Sequence, residues 1–311
     1  MKRLRAEEYL TLFPDKCPDP NGSTEVLLPE KDDLFLPRRA CSTHKYSYGR
    51  ALIVAGSVGF SGAPVLAANS CERSGAGLTT LMVPQEIYPI AASRCDGAVV
   101  TPLPSEAGCA APESLQIILP SLKRANACAV GPGFGTGEQS ARILSDILKE
   151  TECPLVLDAD ALTILGKRPE LFSVCRSQLI LTPHEGEFRR LGGTLERGRL
   201  NGVLTFMKEH PDVILLLKGY GTLICRGNTV SVNPTGNPAM AKGGSGDVLC
   251  GILCALLAQG FEPLSAVRRA AWLHGRAGDL ACEETGEYSL APSDLIRFLP
   301  KAFLELHPPQ T

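Results

Sequence analysis

The sequence predicts an α/β fold, with a mostly parallel central sheet covered by helices on both faces and beginning at Ala51. Three observations carry this. From Ala51 onward, short aliphatic and β-branched runs alternate with helix-length stretches. Those runs are continuously apolar, as strands buried on both faces are. The 311 residues contain no repeat, low-complexity tract or linker long enough to divide the chain.

The expected strands are residues 51–55, 78–83, 127–130, 155–157, 179–181 and 213–217, with helices at 63–74, 138–149 and 195–209. Two further strands, 222–225 and 229–232, flank an Arg226-Gly-Asn turn and predict an antiparallel hairpin at one end of the sheet. The C-terminal third predicts helices at 246–259, 263–284 and 292–306. Residues 1–48, rich in proline and charge with an apolar patch at 26–28, predict an extension wrapped on or beside the core, with one helix at its start.

Composition narrows the function classes. The chain is 44% hydrophobic and 21% charged, with a net charge of −2. That balance offers no basic footprint for nucleic acid. The N-terminus lacks the apolar stretch of a signal peptide. The longest apolar segments, 213–217 and 248–258, fall short of the roughly 20 residues that cross a bilayer. A soluble, cytoplasmic protein with no membrane partner is expected. Twelve cysteines stand singly in apolar segments with no CxxC pair, which predicts reduced thiols rather than disulfides. Cys250 and Cys254 lie one helical turn apart and read as core filling, and no His/Cys cluster has zinc spacing.

The most informative stretch is Asn233-Pro-Thr-Gly-Asn-Pro-Ala-Met-Ala-Lys-Gly-Gly-Ser-Gly-Asp-Val-Leu, a Gly-rich turn entering an apolar helix. Free N–H groups in the first turn, with the helix dipole, make an anion pocket. Gly243, Gly244 and Gly246 let backbone approach a phosphate, with Ser245 between them. Asp247 at the helix mouth either caps the helix or accepts a proton from a hydroxyl. Three glycines within four positions favour the second role, since a cap needs none of them. GxxxxGK[ST] is absent, so this is not a Walker loop.

Four other stretches lie at predicted strand ends, where open α/β sheets place ligands. Lys218-Gly-Tyr-Gly-Thr offers a point charge and glycine backbone, or is an ordinary tight turn. Val130-Gly-Pro-Gly-Phe-Gly-Thr-Gly lacks the dinucleotide fingerprint and predicts a phosphate- or substrate-lining loop. Thr182-Pro-His-Glu-Gly-Glu puts His184 and Glu187 at a strand tip, as ligand contacts or as structure. Asp158-Ala-Asp places two carboxylates that either hold a hydrated Mg²⁺ near the phosphates or cap the next helix. His274, inside a helix, reads as packing. Ser57 and Ser61 lack a Gly-x-Ser-x-Gly elbow and are not nucleophile candidates.

In this order, these stretches resemble the ribokinase-like superfamily, and within it the NAD(P)H-hydrate dehydratase family. The resemblance runs from His44-Lys-Tyr-Ser-Tyr-Gly-Arg, through Gly56-Ser-Val-Gly-Phe-Ser-Gly-Ala and the motifs above, to His274-Gly-Arg-Ala-Gly-Asp, about residues 44–300. It implies a three-layer ribokinase-like sandwich over residues 44–311, with residues 1–43 as an N-terminal extension. It also implies dehydration of the S epimer of hydrated NADH or NADPH, a lyase reaction of metabolite repair that a nucleotide drives, releasing AMP and phosphate when the nucleotide is ADP. Residue by residue, Lys218, Gly219, Tyr220, Gly221, Thr222, Gly243, Gly244, Ser245 and Gly246 would hold the nucleotide. Ala63, Gly133, Gly135 and His184 would line the hydrate pocket, and Asp247 would meet the reacting hydroxyl. The Lys218-Gly-x-Gly-Thr form resembles the ADP-using bacterial branch, with ATP the other candidate and Mg²⁺ the expected cofactor. Lys242, where many members have Thr or Ser, would add a phosphate contact. A homotetramer is expected, and residues 1–43 are too few for the epimerase domain fused to many bacterial members. The competing readings are a kinase for a small alcohol, such as a hydroxymethylpyrimidine or hydroxyethylthiazole, and a non-catalytic nucleotide sensor, against which the aspartate argues.

Overall fold

In strand β3 (Arg50–Val54), Ala51 and Ile53 turn into one apolar cluster while Leu52 and Val54 turn into another. The same alternation recurs in β11 (Ile214–Leu217), where Ile214 and Leu216 face the first cluster and Leu215 and Leu217 the second. Successive strand side chains point to opposite faces, so a strand apolar at every position demands cover on both. The computed structural model, which describes residues 1–4 and 26–307, supplies that cover as a helix layer on each side of one sheet.

The sheet has eleven strands in the order β1-β2-β13-β12-β11-β10-β9-β8-β3-β4-β5. These are β1 (Lys2–Leu4), β2 (Val26–Leu28), β4 (Leu78–Pro84), β5 (Val99–Leu103), β8 (Ala127–Val130), β9 (Leu155–Leu157), β10 (Leu179–Leu181), β12 (Leu223–Arg226) and β13 (Thr229–Val232), with β3 and β11 as above. A separate two-stranded ribbon pairs β6 (Ser105–Glu106) with β7 (Cys109–Ala110). The run from β11 to β5 is parallel throughout. Antiparallel β12 reverses direction and β13 reverses it again, so β13 and the parallel β2 end on the same edge as β11.

One helix layer holds α1 (Gly62–Arg73), α2 (Tyr88–Arg94), α8 (Ser245–Ala258), α9 (Pro263–Ser289) and α10 (Pro292–Glu305). The other holds α3 (Leu115–Leu122), α4 (Glu138–Glu150), α5 (Asp160–Lys167), α6 (Glu185–Arg190) and α7 (Arg199–Glu209). Helix α8 is buried at every position from Val248 to Ala258, as expected of a helix apolar all round.

The expected strands and long helices are present, with shifted ends. Helix α7 begins at Arg199 rather than 195, because Gly198 before it has φ 86, outside helical space. Strand β5 carries Pro102, and proline is tolerated there because the strand is an edge. Part of the expected extension is built into the fold. Strand β2 joins the sheet, and Leu34 and Leu36 enter the core. The start of the chain, expected to be helical, is strand at residues 2–4, and residues 5–25 lie outside the described set. All cysteines among the described residues are free thiols.

Candidate active site

The chain leaves β3 toward β4 and β5 on one side and returns through β8 on the other. Loops after β3 and β8 therefore diverge, and that is where open sheets bind ligands. Along the same edge follow Asp158 after β9, Thr182 after β10 and Lys218 after β11. A cavity of about 1070 Å³ opens between this edge, the 233–244 loop and the N-terminus of α8. It is lined by Lys218, Gly219, Tyr220, Gly221 and Thr222, by Gly243, Gly244, Ser245, Gly246 and Asp247, and by His184. Two stretches some 25 residues apart in sequence thus meet around one space.

At its floor lies a charge cluster. The Nζ of Lys218 donates to Asp158 Oδ1 at 2.8 Å and stands 3.7 Å from Glu187 Oε2. Thr182 Oγ1 donates to the same Asp158 oxygen at 2.9 Å. Burial works against the ammonium, but Asp158 and Glu187 more than offset it and raise the Lys218 pKa. Asp247, in the first turn of α8, feels the opposite balance. Burial, then repulsion from Asp158, push its carboxyl up to about 7, with Lys218 partly relieving the shift. A carboxylate with such a pKa suits proton transfer near neutral pH.

Gly246 sits over this cluster. A Cβ there would stand 3.2 Å from Lys218 Nζ and 3.7 Å from Asp158 Oδ2. The amides of Gly246 and Asp247 belong to the first turn, which a helix cannot satisfy internally, so they offer N–H donors above the Lys218 ammonium, the arrangement that suits an anion.

Ala159 holds φ 49, ψ −115, rare for a residue with a Cβ. It separates two carboxylates with different tasks, since Asp158 meets Lys218 while Asp160 Oδ2 accepts the amide of Gly135 at 2.8 Å. Neither side chain caps α5, so the capping alternative fails. Among the described residues no three His, Cys, Asp or Glu side chains gather around a metal site. Asp158 Oδ2, facing Gly246, is the carboxylate oxygen that a phosphate-bound Mg²⁺ could reach, and one carboxylate with phosphates is a common Mg²⁺ environment.

His184 has a structural task as well as a place on the wall. Its Nδ1 caps α6 by accepting from Gly186 N and Glu187 N at 3.0 and 3.2 Å, which leaves the proton on Nε2. Ala63, Gly133 and Gly135 lie apart from the cavity lining, on a ledge at the β3–β8 divergence. A Cβ on Gly133 would stand 3.6 Å from Ala63, and Ser57 Oγ donates to Gly133 O at 2.8 Å. The ledge connects to the charge cluster through Asp160 and Asp158.

Sequence reasoning missed the parts that brace the loops. The guanidinium of Arg199 donates to the carbonyls of Leu217, Lys218, Tyr220 and Gly221, fixing the turn after β11. Gly219, at φ 147, would bring a Cβ within 2.9 Å of that guanidinium. One face of α9 positions the 233–245 loop. His274 Nε2 bonds Ser245 O at 2.9 Å, and Asp279 accepts from Gly236 N and Asn237 Nδ2. Gly275 and Gly278 let Thr235 and Met240 pack against the helix backbone, where any Cβ would collide. Burial lowers the His274 pKa to about 4, so the ring is neutral and must donate to that carbonyl. The reading of His274 as plain packing is therefore incomplete. Small residues one turn apart beside it were the available signal. Lys242 lines the cavity. Its Nζ donates to Tyr288 O and Leu290 O, both at 2.6 Å, which ties the loop to the end of α9.

With this geometry established, similarity to known proteins becomes informative. A family model described as NAD(P)H-hydrate dehydratase (Carb_kinase) matches residues 51–301. The chain belongs to the NAD(P)H-hydrate dehydratase family. It is 39% identical over 271 residues to the bifunctional NAD(P)H-hydrate repair enzyme Nnr of Moorella thermoacetica, covering 85% of this chain and 51% of that protein. It is 38% identical over 283 residues to the Coxiella burnetii Nnr, covering 89% and 55%. The chain thus spans about half the length of these curated relatives. Among solved structures, an Enterococcus faecalis ribokinase-like superfamily protein superposes with TM-score 0.80 at 26% identity, over 91% of this chain and 97% of that one. The Bacillus subtilis ADP/ATP-dependent NAD(P)H-hydrate dehydratase, co-crystallised with ATP and Mg²⁺, gives 0.76 at 29% identity, over 91% and 99%. The fold is ribokinase-like, and the cavity lies within the matched span except for Leu28.

Proposed function

We propose that this chain dehydrates the S epimer of hydrated NADH and NADPH with ADP as co-substrate, restoring the reduced cofactor and releasing AMP and phosphate. The observation that carries the reading is Asp247, a carboxylate with a pKa near 7 in the first turn of α8, lining the cavity beside Gly243, Gly244 and Gly246. Hydroxide is a poor leaving group, and phosphorylation converts it to a good one. Asp247 takes the hydroxyl proton as the oxygen attacks the terminal phosphorus, and the phosphorus–oxygen bond to AMP breaks. Amides of the first turn of α8 and the Lys218 ammonium stabilise charge on the transferred group. The ring nitrogen lone pair then expels phosphate, and loss of a proton from the adjacent carbon restores the double bond. Mg²⁺ bound to the nucleotide phosphates would offset their charge, and Asp158 Oδ2 is the residue atom that would hold it.

ADP is proposed over ATP because the Lys218-Gly-Tyr-Gly-Thr turn resembles the ADP-using branch. Arg199 fixes that turn rigidly, so its distance from the anion pocket is set, and a misplacement of about 1 Å at a reacting centre costs roughly 10²-fold. The family resemblance also carries a homotetramer and a cytoplasmic setting, which light scattering and cell fractionation test. Among the described residues no helix is long and apolar enough to cross a membrane.

Product analysis tests the reaction. Purified protein with hydrated NADH and ADP should yield NADH, AMP and phosphate in equal amounts. A stable phosphoester from a small alcohol would favour the kinase reading, and binding without turnover the sensor. A tenfold preference for ATP in kcat/KM would overturn the ADP assignment alone.

A further inference from the structure

The N-terminal segment reaches the cavity. Leu28, the last residue of β2, lines it, although the family match begins only at residue 51. Its placement follows from the sheet. Strand β2 runs parallel to β13, with Val26 beside Val230 and Leu27 beside Ser231, so Leu28 emerges at the edge where β13 gives way to Asn233 and Pro234. The segment is anchored on both sides of that point. Val26 is fully buried in the core, Leu36 N donates to Leu306 O, and Arg269 donates to the carbonyls of Leu34 and Phe35.

The strand order sets how far Leu28 lies from the chemistry. Lys218, under the first turn of α8, follows the end of β11, and three strand spacings through β12 and β13 lead to β2. At about 4.8 Å per spacing that is roughly 14 Å, comparable to the reach of an extended nucleoside diphosphate from its terminal phosphate to its base. A half-buried leucine at that distance offers an apolar surface, which suits a heteroaromatic base and not a phosphate.

We infer that Leu28 is a specificity-determining residue, contacting the base of the nucleotide co-substrate and extending the pocket beyond the span this chain shares with its family model. This rests on the nucleotide reading above. Calorimetric titration of the full chain with ADP and, separately, with inorganic pyrophosphate tests it, because pyrophosphate keeps the phosphates and lacks the nucleoside. Leu28→Ala should weaken ADP about tenfold, the scale of one or two lost methylene contacts. Pyrophosphate affinity should be unchanged, and Leu28→Met should bind ADP as wild type does. Unchanged ADP affinity in Leu28→Ala, or equal loss of ADP and pyrophosphate, would overturn the inference while leaving the proposed function intact. Failure of the wild-type chain to bind ADP at all would overturn both.

Discussion

Lys218 Nζ lies 2.8 Å from Oδ1 of Asp158, a carboxylate only 2% exposed, and the same ammonium is a neighbour of Asp247. The pair thus serves two ends. It neutralises a buried charge, and its cation holds the Asp247 pKa below where burial and Asp158 would otherwise set it.

Lys218→Met separates these roles. Removing one partner of a buried pair leaves the other uncompensated, so stability should fall by about 3 kcal/mol. Loss of the nearby cation also raises the Asp247 pKa, so the acid limb of the pH–kcat profile should move above its wild-type position near 7. His274→Gln, which keeps an N–H donor for Ser245 O, should leave that limb in place, because His274 is already neutral above about pH 4. A limb that moved in His274→Gln and stayed in Lys218→Met would reassign the titrating group.

Asp247 should cost stability in return for its chemistry. Its folded pKa lies above the unfolded value of about 3.9, so the native state favours the protonated form. That contribution is present below pH ~4 and is lost as pH rises through about 7. Asp247→Asn should therefore be more stable than wild type at pH 8, by roughly 1–3 kcal/mol, and should match it near pH 4. Equal Tm differences at both pH values would contradict the raised pKa.

How much of this site was legible in the sequence depended on distance along the chain. The loop that enters α8, with Asp247 in its first turn, was legible because glycine, serine and aspartate announce a loop-to-helix turn within five residues. Lys218, Asp158 and His184 were legible as strand-end residues, since continuous apolar runs reveal where buried strands stop. The ion pair between Lys218 and Asp158 was not, because it joins positions sixty residues apart through the order of β9, β10 and β11. Arg199 was hidden for the same reason, its carbonyl partners being brought to it by packing. The short helices α5 and α6 were obscured by the charged and polar residues at which they begin, Asp160 in one and His184, Glu185 and Glu187 in the other.

Gly246→Val should abolish ADP binding with only a small change in Tm. The new side chain would enter the space above Lys218 Nζ and Asp158 Oδ2 where the terminal phosphate is proposed to sit. The nearest atoms to the new Cβ are side-chain ends, Lys218 Nζ at 3.2 Å and Asp158 Oδ2 at 3.7 Å, and no backbone stands in its way, so the fold can yield. Unchanged ADP affinity by calorimetry would place the anion pocket elsewhere.

The central claim, that Asp247 is the base that activates the hydroxyl of a nicotinamide hydrate, is tested most directly by turnover of hydrated NADH with saturating ADP, followed by recovery of reduced-nicotinamide absorbance. Wild-type chain should restore the absorbance, and Asp247→Asn should lose roughly 10²–10⁴ in kcat while binding ADP as tightly as before. Near-normal turnover in Asp247→Asn would contradict the claim and leave Asp247 a structural residue at the mouth of its helix.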